Sequence, residues 1–156
     1  MCAPKDLVRL HSPNGDYVEF GVAGYEFPQN TEDRWDSNWL MIGGTASLGG
    51  RQWQFCEPGM TTFELQELAE WFSALSEGSA DKNVIGFTEP NFEFEYLTDD
   101  KMRVFFELEV RPEWLKSNIA GQADVFVDVD ASHAELRDAS STIVKMLIAF
   151  SERGRN

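Results

Sequence analysis

The sequence predicts an α+β fold: a curved, mainly antiparallel sheet of about seven to nine strands packed by two α-helices. Three observations carry that expectation. Short runs alternate apolar and polar residues between Gly, Asn and Asp turns, two segments repeat apolar residues at helical spacing behind a capping pattern, and most connections are too short for parallel crossovers.

Residues 7–10 and 17–22 flank Pro13-Asn14-Gly15-Asp16, where Asn-Gly supplies the positive φ angles of a tight hairpin turn. A polar loop follows at residues 29–37, with Trp35 set between Asp33 and Asp36. Residues 38–48 and 51–56 form a second hairpin closed by Gly49-Gly50, in the register Leu48 opposite Arg51, Ala46 opposite Trp53 and Gly44 opposite Phe55. Small residues then face large aromatics, which supports that pairing. Thr61 and Glu64 make a capping box for a helix carrying Leu65, Leu68, Phe72 and Leu75, which should stop at Gly78.

Strands are expected at residues 83–87, 92–97, 102–110 and 123–129, the second and third joined through Asp99-Asp100. Ser132 and Glu135 form another capping box, and Leu136, Ala139, Ile143, Leu147 and Phe150 make the buried stripe of a closing helix, with Arg153 and Arg155 suited to its C-terminal end. The chain thus reads as one domain over residues 1–156, strand-rich at 7–58, helical near 62–77, strand-rich at 83–129 and helical near 133–151.

Composition narrows the function. With 27 acids against 13 Lys and Arg, the formal charge is −14 and a nucleic-acid ligand is disfavoured, because phosphate binding draws on basic clusters. No apolar run approaches a membrane span and no leader pattern opens the chain, so a cytoplasmic location without membrane partners is expected. Two cysteines make no disulfide framework: Cys2 is expected in a frayed terminus, and Cys56 as a structural thiol in the core.

The motifs of nucleotide binding, zinc proteolysis and serine hydrolysis do not occur, and neither histidine, His11 or His133, sits in a catalytic setting. Asp128, Asp130 and Ser132 fall at the spacing of the first calcium-loop ligands. His133 then stands where the loop needs glycine and Ala139 where it needs glutamate, so no metal site and no cofactor are predicted. The alternative from another class is a carboxylate-based hydrolase, since acids sit on strands, although nothing in the sequence raises one carboxyl above another. A protein-binding adaptor is a blander one.

What stands out is acidity in particular places. If Phe92, Phe94 and Tyr96 are buried beside Val104, Phe106 and Leu108, then Glu93, Glu95, Glu107 and Glu109 share the opposite sheet face, with Arg103 as the one compensating cation. Asp124, Asp128 and Asp130 would widen that patch. Like charges across a ladder cost up to ~1 kcal/mol each, which points to a use, and Asp33, Trp35 and Asp36 add an aromatic anchor in an acidic loop. These ten residues are the expected partner-binding set, with a basic protein as partner.

Four segments taken together resemble the WapI-like immunity proteins: Gly24-Tyr25-Glu26-Phe27-Pro28, Asp36-Ser37-Asn38-Trp39-Leu40, residues 61–71 with Glu64, Leu65 and Leu68, and Phe87-Thr88-Glu89-Pro90-Asn91-Phe92. The resemblance implies a non-catalytic cytoplasmic antidote that neutralises a contact-dependent toxin domain, itself resembling an RNA-cleaving nuclease and encoded by a neighbouring gene. It implies no active site.

Overall fold

The computed structural model describes residues 2–116 and 123–154. Eight strands and two α-helices follow in the order β1 (Val8–His11), β2 (Tyr17–Tyr25), β3 (Trp39–Leu48), β4 (Arg51–Thr61), α1 (Thr62–Glu77), β5 (Val84–Gly86), β6 (Phe92–Tyr96), β7 (Lys101–Phe106), β8 (Val125–Asp130) and α2 (His133–Ala149). The fold is α+β and every strand pairing is antiparallel. The strands divide into two four-stranded meanders, β1-β2-β3-β4 and β5-β6-β7-β8, rather than one sheet. Each meander is followed by one helix, so four strands and a helix occur twice.

Both helices start where the sequence places their caps. The Glu64 amide donates to Thr61 Oγ1 at 3.1 Å while Glu64 Oε1 accepts from the Thr61 amide at 3.0 Å, and Ser132 with Glu135 repeats the exchange at the same two distances. Helix α1 ends on Gly78 in the left-handed conformation, φ 71°. The two helices pack on each other, with Ser140 Oγ donating to the Ala69 carbonyl. In α2, Leu136, Ala139 and Ile143 are buried as expected together with Met146, while Leu147 and Phe150 are partly covered.

The hairpin of β3 and β4 has the predicted register, Leu48 to Arg51, Ala46 to Trp53 and Gly44 to Phe55. The first hairpin differs in its turn: only Gly15 takes a positive φ, and the loop closes through the Ser12 amide on the Asp16 carbonyl and the Gly15 amide on the Ser12 carbonyl.

An aromatic seam joins the inner faces of the two sheets. Phe20 of the first sheet meets Phe94 of the second at 5.6 Å between centroids, Phe55 meets Phe92 and Phe106 at 5.4 and 5.5 Å, and Trp53 meets Phe106 at 5.1 Å. Phe94 also touches Phe72 of α1 and Phe87. The Gly59 backbone lies close against this seam: a Cβ there would stand 3.0 Å from Phe92 Cε2.

Two further expectations need correction. The third strand of the second sheet ends at Phe106 instead of reaching residue 110. Leu108, at φ 55°, opens a 3-10 turn over Leu108–Val110, which leaves Leu108 53% exposed and buries Val110, whose carbonyl accepts from Trp53 Nε1 at 2.9 Å. The chain leaves the ladder to satisfy a buried indole.

The second correction concerns the cysteines. Cys56 is half-buried and bonded to Cys2, with Cα atoms 6.0 Å apart. Strand alternation sends Trp53 and Phe55 inward and Cys56 outward, onto the face opposite the core. The N-terminal segment lies along that outer face. Glycines 21 and 43 are cross-strand partners there, and a Cβ on either would collide with the Asp6 carbonyl or with Cys2 Sγ.

The bond closes a loop with a sequence separation of 54. In the chain-entropy account such a loop contributes up to about 4 kcal/mol. Reduction, or the Cys2→Ser variant, should therefore lower the thermal midpoint substantially. Identical melts with and without reductant would show that the bond does not form in solution.

Candidate functional site

The expected acidic residues fall into three groups. On the outer face of the second sheet, Glu95 stands opposite Arg103 and Arg103 opposite Asp128, while Lys101 stands opposite Asp130. The Arg103 guanidinium forks onto Asp128, Nε to Oδ1 at 2.8 Å and Nη2 to Oδ2 at 3.0 Å, and lies over the Phe126 ring at 4.0 Å. That hydrogen bond holds the guanidinium pKa above its usual value. Lys101 Nζ donates to Asp130. The predicted confrontation of like charges is thus replaced by two cross-strand ion pairs, and Glu93 faces Phe105 rather than another acid.

The second group surrounds a shallow depression lined by Glu93, Phe105, Glu107 and Asp124 together with Gly86, Phe87, Pro90 and Phe92. Glu107 sits just past the strand end and accepts from Arg111 Nη2 at 2.8 Å. Glu93 and Asp124 are exposed and make no ion pair among the described residues.

The third group forms the more concentrated site. Glu109, displaced from the sheet by the turn at Leu108, joins Asp36 and three acids outside the expected partner-binding set, Glu26, Glu57 and Glu89. They line a depression of about 420 Å³ with Phe27, Trp39, Pro58 and Asn91. Its walls come from both sheets: Glu26 follows β2, Trp39 opens β3, Glu57 and Pro58 belong to β4, and Glu89 and Asn91 precede β6. The crowding acts on Glu26, whose carboxyl is pushed above its ordinary range by burial first and then by the neighbouring charges of Asp36 and Glu89.

The loop bearing Asp33, Trp35 and Asp36 is fixed from two sides. Asp33 Oδ1 accepts from the amides of Trp35 at 2.8 Å and Asp36 at 2.7 Å, so Asp33 shapes the turn. Trp35 is 64% exposed and rests edge-on against Phe63 at 6.0 Å. Trp114, by contrast, is a lid: it packs against Trp53 at 5.8 Å beneath the Arg51 guanidinium.

Asn38 is fully buried and uses its whole amide, Nδ2 donating to the Arg34 and Arg153 carbonyls and Oδ1 accepting from Thr62 Oγ1 and the Arg153 amide, at 2.6 to 2.9 Å. Arg153 does not cap α2 as its position suggested. Its guanidinium donates to the carbonyls of Ser37, Pro28 and Phe27 and lies 3.5 Å from the centroid of the Tyr25 ring. Arg155 lies outside the described residues.

Among the described residues, no three His, Cys, Asp or Glu side chains stand close enough to hold a metal ion, and no helix is long and apolar enough to cross a membrane.

A sequence model described as the immunity protein WapI-like family matches residues 9–151. Comparisons with curated proteins and with solved structures returned no match. Three of the four segments that carried the resemblance in the sequence converge on the larger acidic depression, through Glu26 and Phe27, Asp36 and Trp39, and Glu89 and Asn91.

Two outcomes follow from this geometry. A raised carboxyl pKa means that the folded state holds the proton of Glu26 more tightly than the unfolded chain, so ionisation at higher pH costs stability. Glu26→Gln should melt higher than the parent at pH 7 and equally at about pH 3, where both side chains are neutral; equal midpoints at pH 7 would refute the crowding. Arg153→Ala should speed hydrogen exchange at residues 27–38 while leaving the β3 and β4 ladder protected, and unchanged exchange there would show that the tail does not hold the loop.

Proposed function

The chain belongs to the WapI-like immunity protein family, and from that premise we propose that it acts without catalysis, by binding and neutralising the toxin domain of a contact-dependent system. The family match over residues 9–151 carries this reading. The charge of the chain supports the rest of it: a net −14, with acids lining two depressions and the exposed Phe27 in the larger one, suits a basic partner such as a nuclease. The toxin encoded by a neighbouring gene is the partner this reading names. The cytoplasm is the compartment it expects, where cellular thiols would act on the Cys2–Cys56 bond.

Among the expected partner-binding residues, local contacts favour some over others. Asp128, Asp130 and Glu107 each pair with a cation, Arg103, Lys101 and Arg111, Glu95 lies beside Arg103, and Asp33 bonds within its own loop, so Glu93, Asp124, Glu109, Asp36 and Trp35 are the members of the set that we favour for contact with the partner. A carboxylate-based hydrolase finds one point of support in the raised Glu26. Co-expression separates the readings, because an antidote protects stoichiometrically and a hydrolase does not.

Association with the purified toxin domain should be steered by opposite fields, reaching ~10⁸ M⁻¹s⁻¹ at low salt and falling steeply as ionic strength shortens the screening length to ~8 Å. Dissociation should change far less. Stopped-flow kinetics across a salt series check this, and an on-rate indifferent to salt would remove the electrostatic part of the proposal.

A further inference from the structure

The larger acidic depression has a property that charge alone does not explain. Asn91, 2% exposed, is part of its lining. Its Nδ2 donates to the Pro58 carbonyl at 3.0 Å, while its buried Oδ1 has no hydrogen-bond partner among the described residues. A buried acceptor without a donor is costly, and a ligand bringing an N–H would remove that cost.

The surroundings specify the ligand. Five carboxylates, Glu26, Asp36, Glu57, Glu89 and Glu109, call for a cation, yet no three stand close enough to hold a metal ion. The cation must therefore spread several donors over several acceptors. A guanidinium does this with five N–H groups in one plane, whereas an ammonium concentrates three at one point. The rings of Phe27, 43% exposed, and Trp39 lie in the same lining and offer faces on which a planar cation stacks.

We propose that this depression seats an arginine side chain of the basic protein partner, with Asn91 Oδ1 and the carboxylates of Glu26, Asp36 and Glu89 accepting from its guanidinium. The inference rests on the antidote reading for the existence of such a partner and adds where it docks and through which residue type. Glu26 gives the seat a pH dependence: an incoming cation restores the ionised carboxylate, so binding strengthens as pH rises through the raised range of that group.

The test needs no toxin. Isotope-labelled protein is titrated with hexa-arginine and with hexa-lysine at about 0.15 M salt, where exposed charges are screened. The side-chain amide signals of Asn91 should shift with hexa-arginine, which should bind about tenfold tighter than hexa-lysine. The triple variant Glu26→Gln, Asp36→Asn, Glu89→Gln should lose about tenfold in affinity for hexa-arginine, and Glu93→Gln with Asp124→Asn should stay within about twofold of the parent. Equal affinities for the two peptides, an unmoved Asn91 amide, or equal losses in the two variants would each overturn the seat. Neither result bears on whether the wild-type chain protects a cell from its toxin, so failure of the seat is distinct from failure of the antidote reading.

Discussion

The aromatic seam between the two sheets is the contact on which the remainder of the structure depends. Each meander has one apolar face, and a four-stranded sheet of this length cannot remove that face from water alone. Phe20 against Phe94, and Phe55 and Trp53 against Phe92 and Phe106, bury those faces in each other. Helix α1 joins the same cluster through Phe72. The rings meet tilted or edge-on at centroid distances of 5.1 to 5.6 Å, so the seam bears on how the two sheets sit against each other as well as on their burial.

That placement makes the acidic depression. The ends of β2 and β4 and the starts of β3 and β6 lie at one mouth of the seam, and the acids Glu26, Asp36, Glu57, Glu89 and Glu109 arrive there from five separate parts of the chain. The loop between β2 and β3 is held by polar contacts instead of apolar ones: Asn38 uses its full hydrogen-bonding capacity inside the protein, and Arg153 clamps three loop carbonyls. A buried amide with all four bonds made tolerates little displacement, which ties the end of this loop to Thr62 and to the C-terminal segment.

Charge is handled differently on the two surfaces. On the outer face of the second sheet, acids are answered by Arg103 and Lys101 across the ladder, and the result is a solvated, compensated surface. In the larger depression they are left beside one another, and burial first, then the charges of Asp36 and Glu89, raise the Glu26 pKa above its ordinary value. Placing repulsion where the wall is half-buried and rimmed by aromatics is costly for folding alone and favourable for receiving a cation.

Local patterns in the sequence determined the helices, the strands and one register. Thr61 with Glu64 and Ser132 with Glu135 fix helix starts by bonds spanning three residues, and Gly44 opposite Phe55 fixes a hairpin through neighbouring pairs. The four family-like segments were legible in the same way. What the sequence did not disclose depends on residues distant along the chain. Glu107 and Glu109 looked like strand residues because their alternation continues past Phe106, but the chain turns out of the ladder at Leu108, where the Val110 carbonyl accepts from the buried Trp53 indole, a partner distant in sequence. The outward side of Cys56 was readable from alternation beside Phe55. That Cys2 lies over it depends on Gly21 and Gly43 admitting the N-terminal segment. The gathering of Glu26, Glu57 and Glu89 around Asn91 has no local signature, because burial and electrostatic coupling are properties of distances that exist only once the two sheets have closed on each other.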